Sequence, residues 1–91
     1  MELRWSPEAS NDFVRIIEYI REQNPEAALR VARNIYGTVV TLKDHPRRGR
    51  GGRVSGTREL VLSPLPYVVV YRVFADAVEV ARVLHGAQRW P

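Results

Sequence analysis

Residues 57–84 read TRELVLSPLPYVVVYRVFADAVEVARVL, and within them apolar residues recur every second position rather than at helical spacing. Three segments, 57–62 (TRELVL), 67–74 (YVVVYRVF) and 77–84 (AVEVARVL), are rich in Val, Tyr and Phe and predict strands. The breaks between them, SPLP and ADA, are too short for a crossover, so the segments form an antiparallel meander. In the middle segment Tyr67, Val69, Tyr71 and Val73 share one face, and Val68, Val70, Arg72 and Phe74 share the other. Both faces are largely apolar, which suits a central strand covered on both sides.

Upstream the period is helical. ELRWS (2–6) alternates briefly and predicts a short first strand. Ser6 then stands as an N-cap, Pro7 at the first helical position and Glu8 in the first turn. Ala9, Phe13, Ile16, Ile17 and Ile20 follow as one apolar stripe. Asn24 and Pro25 repeat the start signal, and Ala28, Val31, Ile35, Val39 and Leu42 line a second inner face that ends before Pro46. The short connection makes an antiparallel helical hairpin. The order strand, helix, helix, arginine-rich loop and three strands predicts an α+β fold with helices on one face of a mostly antiparallel sheet. The hairpin covers one sheet face; a terminal tail or a partner chain must cover the other.

The 91 residues are enough for one domain spanning 1–91. The chain has no cysteine, which excludes disulfides and cysteine-based zinc sites and fits a reducing cytosol. No apolar run approaches the roughly 20 residues needed to span a bilayer. The start, MELRWSPEAS, lacks the apolar stretch of a signal peptide, so a cytoplasmic location and no membrane partner are expected. No motif calls for a metal or a cofactor.

Charge is unevenly placed. Residues 1–44 hold six basic and seven acidic side chains; residues 45–91 hold eight arginines against Glu59, Asp76 and Glu79. The stretch 45–58, HPRRGRGGRVSGTR, carries Arg47, Arg48, Arg50, Arg53 and Arg58 with four glycines and no acid. It reads either as a solvated polar loop or as a surface that holds an anion, since guanidinium forks match carboxylate and phosphate. Its glycines would let backbone N–H groups approach a phosphate. No Gly-Lys-Ser/Thr follows, so it is not a Walker loop. His85 follows the last strand, with Arg89 and Trp90 beyond it. His85 is either a structurally hydrogen-bonded histidine or an acid–base group. Trp90 is read as a hydrophobic anchor, with base stacking as the alternative. In a meander, Arg58 and His85 fall at opposite ends of their strands unless the loop and tail fold over to bring them together. Arg72 and Arg82 are expected to pair with Glu59 or Glu79 across the sheet.

With this element order, the segments GTRELVL, PYVVVYRV and VEVARVLHGAQRWP resemble the RelE/ParE family of bacterial toxins from type II toxin–antitoxin modules. The resemblance spans essentially the whole chain and implies a small β-α-α-β-β-β fold. It also implies a cognate antitoxin, ParD- or RelB-like and encoded by a neighbouring gene, through which the pair would contact operator DNA. One branch of the family poisons DNA gyrase; the other cleaves messenger RNA on the translating ribosome. In the second case the resemblance makes Arg58 a phosphate-binding residue and His85 a catalytic one. Other nuclease members use loop lysines and a C-terminal tyrosine, whereas this loop has no lysine and Trp90 stands near the tyrosine position. The LHGAQRW ending resembles the ParE-like branch, so gyrase poisoning is the first expectation and RNA cleavage the second. A non-toxic phosphate-binding module is the third. The target- or anion-binding set is Arg47, Arg48, Arg50, Arg53, Arg58, Arg89 and Trp90.

Overall fold

Two capping residues set the helical layer. In the computed structural model, which describes residues 1–86, 88, 90 and 91, Ser6 is extended and its Oγ accepts the Ala9 N–H at 3.0 Å. Helix α1 (Pro7–Gln23) begins there. Asn24 ends α1 by donating its N–H to the Ile20 carbonyl at 2.8 Å. The same residue starts α2 (Pro25–Thr41), its Oδ1 accepting the Ala27 N–H at 3.1 Å. Asparagine serves both ends because its extended backbone breaks the helix while its side chain replaces the missing acceptor. A one-residue connection leaves the helices no arrangement but a hairpin. Neither helix is long and apolar enough to cross a membrane.

Among the described residues the sheet has five strands in the order β1-β5-β4-β3-β2: β1 (Glu2–Trp5), β2 (Arg50–Gly51), β3 (Arg58–Val61), β4 (Tyr67–Val73) and β5 (Ala77–His85). The three expected strands form the antiparallel meander, with β4 in the middle. Strand β1 adds to the far side of β5 in parallel, so the sheet is mixed. Strand β2, a two-residue strand inside the arginine loop that pairs with β3 at Glu59 and Arg58, has no counterpart among the expected strands.

Alternation divides the sheet into two faces. Against the helices lie Val69, Tyr71, Val78, Val80 and Val83, packed with Ala9, Ile35, Val39 and Leu42. On the opposite face Val70, Ala81 and Leu84 form a smaller cluster with Val68 and Trp90. A terminal residue therefore covers part of the helix-free face, as the apolar pattern of β4 required. A bulge marks the junction: Tyr71 faces Val80 and Val70 faces Arg82, leaving Ala81 as the extra residue.

Strand β1 stops opposite Val80, and α1 takes over the exposed edge of β5. The Ser6 N–H and Oγ donate to the carbonyls of Val80 and Ala81, at 2.9 and 2.8 Å. Farther along, Asp12 Oδ2 accepts the Val83 N–H at 3.0 Å. The same carboxylate receives Arg82 in a bidentate pair, at 2.7 and 3.0 Å. This hydrogen bond is the main reason the Arg82 guanidinium is held above its ordinary pKa. The cross-sheet partner expected for Arg82 is not the one observed: it reaches Asp12 of α1, the helix that flanks the edge of β5. Arg72 does lie opposite Glu79 in register.

Candidate functional site

The arginine loop is held from beneath by three sheet residues. Tyr71 is fully buried, yet its hydroxyl accepts the Gly49 N–H at 2.7 Å and donates to the Pro46 carbonyl at 2.8 Å. Arg58 donates to the carbonyls of Gly49 at 2.6 Å and Arg47 at 3.5 Å. Glu59, 4% exposed, accepts the Arg53 N–H at 3.0 Å and lies 3.9 Å from the Arg50 guanidinium. The Gly52 N–H donates to the Thr57 carbonyl at 2.8 Å, closing a turn in which Gly56 adopts φ +84°. These bonds occupy the amides of Gly49 and Gly52, so those two glycines serve the loop's own path and not a phosphate cradle.

The five loop arginines consequently point three ways. Arg58 turns inward with Tyr71 and Leu60, because those residues share its face. Arg47 and Arg48 line an open cleft of about 720 Å³ with Thr41, Asp44, His45 and Pro46. Arg50 and Arg53 overhang a different cavity, of about 230 Å³, on the helix-free face of the sheet. Its floor is apolar: Val61, Val68, Val70 and Leu84. Glu59, His85, Gln88 and Trp90 complete the wall. The Trp90 indole Nε1 is buried and has no hydrogen-bond partner among the described residues. Arg89 lies outside the described residues.

His85 sits at the end of β5 opposite Tyr67, whose ring meets it edge-on at 5.9 Å. Its backbone N–H donates to Gln88 Oε1 at 2.6 Å. On its other side is a second cavity, of about 410 Å³, lined by Arg15, Tyr19, Tyr67 and Arg82. Burial, and secondarily the neighbouring Tyr19, raise the Tyr67 phenol above its ordinary pKa. Arg58 aligns with Tyr71 and His85 with Tyr67, four residues apart along β4. That separation is roughly 13 Å at the usual strand rise. The two residues stand at opposite ends, as the meander implied. The folding-over of loop and tail brings Arg50 and Arg53 to the cavity that His85 lines, but not Arg58.

Residues 3–90 match the sequence model of the ParE toxin of the type II toxin–antitoxin system parDE. The chain belongs to the ParE toxin family. It is 42% identical to the protein Y4kP of Sinorhizobium fredii, covering 98% of this chain and 92% of the relative. It is 36% identical to the toxin RelE2 of Caulobacter vibrioides, over 92% of this chain and 93% of that one. A structure of the chromosomal ParDE toxin–antitoxin system from P. aeruginosa superposes with a TM-score of 0.84 at 27% identity, covering 93% of this chain and 95% of that one. The YoeB dimer structure from Staphylococcus aureus shares the fold, with a TM-score of 0.60 at 13% identity and coverage of 90% and 92%. The protein is thus a type II toxin of α+β architecture, and membership of this family implies an antitoxin partner.

In this toxin, Tyr71 is the clamp of the loop, and it stands outside the set of site residues singled out in the sequence. Nothing in a strand tyrosine announces a hydroxyl aimed at a loop 22 residues upstream. Tyr71→Phe is expected to leave the Gly49 N–H and Pro46 carbonyl without their partner, at a cost of about 1–3 kcal/mol. Faster amide exchange at Gly49, with a lower denaturation midpoint, would show it; unchanged exchange would refute the clamp.

Proposed function

We propose that this toxin arrests growth by poisoning DNA gyrase and is held inactive by a ParD-like antitoxin encoded beside it, which also carries the pair to operator DNA. Its setting would be the cytoplasm. The carrying observation is the disposition of Arg58 and His85. Cleaving RNA through a 2′-hydroxyl needs proton-transfer groups and cations around one phosphate. Here Arg58 turns its Nη1 to the Gly49 and Arg47 carbonyls on the helix-facing side of β3, and roughly 13 Å of sheet separates its level from that of His85. Both the match to the ParE model and the likeness to a ParDE structure support the same branch. In this reading the cations of Arg47, Arg48, Arg50, Arg53 and Arg89, with Trp90, serve target or partner binding and not bond cleavage.

Expression of the toxin alone should stop bacterial growth, with DNA-damage signalling and cleaved DNA trapped on gyrase. Message lengths should stay intact, and His85→Ala should leave lethality within about twofold, because no proton transfer is required of it. Ribosome-dependent RNA cleavage is the second reading. It is favoured by the names of the Caulobacter vibrioides relatives RelE1, RelE2 and RelE3, and by Arg50, Arg53 and His85 lining one cavity. That mechanism demands cuts in translated messages, and a His85→Ala substitution would remove them.

A further inference from the structure

We infer that the outer face of α2 is a self-association surface, on which a second copy of this chain packs its own α2 in the antiparallel sense. The inference does not depend on how the toxin arrests growth.

Ala28, Ile35, Val39 and Leu42 turn one side of α2 into the molecule. A second stripe runs along the other side. Glu26, Leu29, Arg33, Tyr36, Val40 and Lys43 follow one another at alternating intervals of three and four residues, the spacing of a coiled-coil seam. Lys43 stands in the turn that prolongs the helix, its N–H donating to the Val40 carbonyl at 3.2 Å. Leu29 is 52% and Tyr36 56% exposed. Among the described residues Glu26, Arg33 and Lys43 enter no ion pair. Gly37 is exposed in the interior of α2, and a Cβ there would meet nothing within 4 Å. No contact inside the chain therefore asks for a glycine that costs the helix about 1 kcal/mol relative to alanine.

Charge selects the occupant. When two such helices pack antiparallel, the two kinds of seam position face each other in layers. Glu26 then meets Lys43 of the second copy, Leu29 meets Val40, and the Arg33 guanidinium lies on the Tyr36 ring. Two-fold symmetry repeats each layer, and the bare backbone at Gly37 leaves the Tyr36 ring open to the incoming cation. A parallel pair sets every residue against itself, so that Glu26, Arg33 and Lys43 each meet a like charge. Sliding the antiparallel pair by seven residues can set Arg33 against Lys43 instead. A stripe that complements its own reverse is what a two-fold contact between identical chains requires; an unrelated partner has no need of it. The seam is short, since the 17 residues of α2 span about 25 Å, and each copy carries a net charge of +4. The pair is therefore weak, with a dissociation constant on the order of 10 µM at physiological salt.

Analytical ultracentrifugation of the purified full-length toxin, from about 1 to 200 µM, tests the inference. The average mass should climb from that of one chain toward that of two. Leu29→Glu should stay monomeric throughout, with a melting temperature within about 2 °C of wild type at the lowest concentration, because the side chain it replaces is exposed. Glu26→Lys and Lys43→Glu should each weaken association about fivefold to twentyfold, since each sets two like-charged pairs across the seam. The protein carrying both changes should return to within about twofold of wild type. A toxin that stays monomeric at about 200 µM would overturn the inference, and so would a dimer indifferent to Leu29→Glu. Failure of the double exchange to restore association would overturn the antiparallel pairing. Monomeric toxin whose antitoxin binding is weakened by Leu29→Glu would assign this face to the antitoxin instead.

Discussion

Replacing Asp12 with alanine is expected to lower the unfolding free energy by about 3 kcal/mol. The carboxylate is 9% exposed and does two things at once: it accepts the Val83 N–H at the edge of β5 and holds Arg82 by two hydrogen bonds. Alanine removes neither the strand edge nor the guanidinium, so a buried N–H and a partly buried cation both lose their partner. Breaking a buried pair from one side costs more than the pair contributes, because the abandoned charge stays behind. For a domain of this size the loss corresponds to a fall in melting temperature of roughly 10–20 °C. Asp12→Asn keeps an oxygen for Val83 and is expected to lose less, about 1–2 kcal/mol. Chemical denaturation of the two variants checks the ordering. Equal losses would mean that charge is irrelevant at this position, and a loss below about 0.5 kcal/mol in both would mean that α1 does not secure the edge.

The second large effect is expected at Gly49. A methyl group there would lie 2.7 Å from the Tyr71 hydroxyl oxygen, 2.8 Å from a ring carbon of Tyr71 and 2.9 Å from the Glu59 carbonyl oxygen. The tyrosine is wedged in the core and the carbonyl belongs to a paired strand, so none of the three can swing aside. Gly49→Ala should therefore cost about 2–3 kcal/mol and push the loop off its seat, moving Arg50 and Arg53 with it. Gly51→Ala is the matched control, because an added methyl meets nothing within 4 Å. It should change stability by no more than about 0.5 kcal/mol. If the two alanine variants melt together, the close approach at Gly49 is not what positions the loop.

These sites show which layers of information were open to reading. The helix starts were legible because a cap is local: Ser6 and Asn24 bond to amides three residues away, and the prolines after them mark the turn. The meander was legible because valine-rich segments and short breaks leave few arrangements. Strand β2 was hidden because two residues, one of them glycine, carry no alternation. The partner of Arg82 was hidden for a different reason: Asp12 lies 70 residues away, on a helix that meets β5 only in the folded chain. The arginine loop was recognised as a unit, but its division was not. Part of that division was available, since Arg58 shares a strand face with Leu60 and Leu62, which points it inward. The remainder depends on where Tyr71 and Glu59 grip the backbone, and composition does not record that.

Since the hydroxyl that grips the loop belongs to a ring wedged among Val69, Val80 and the helices, surface charge spacing and interior packing are mechanically one property of this molecule. Selections for harmless versions of the toxin should therefore recover well-folded chains altered deep inside, at residues no target or antidote ever touches, as well as chains altered at the rim.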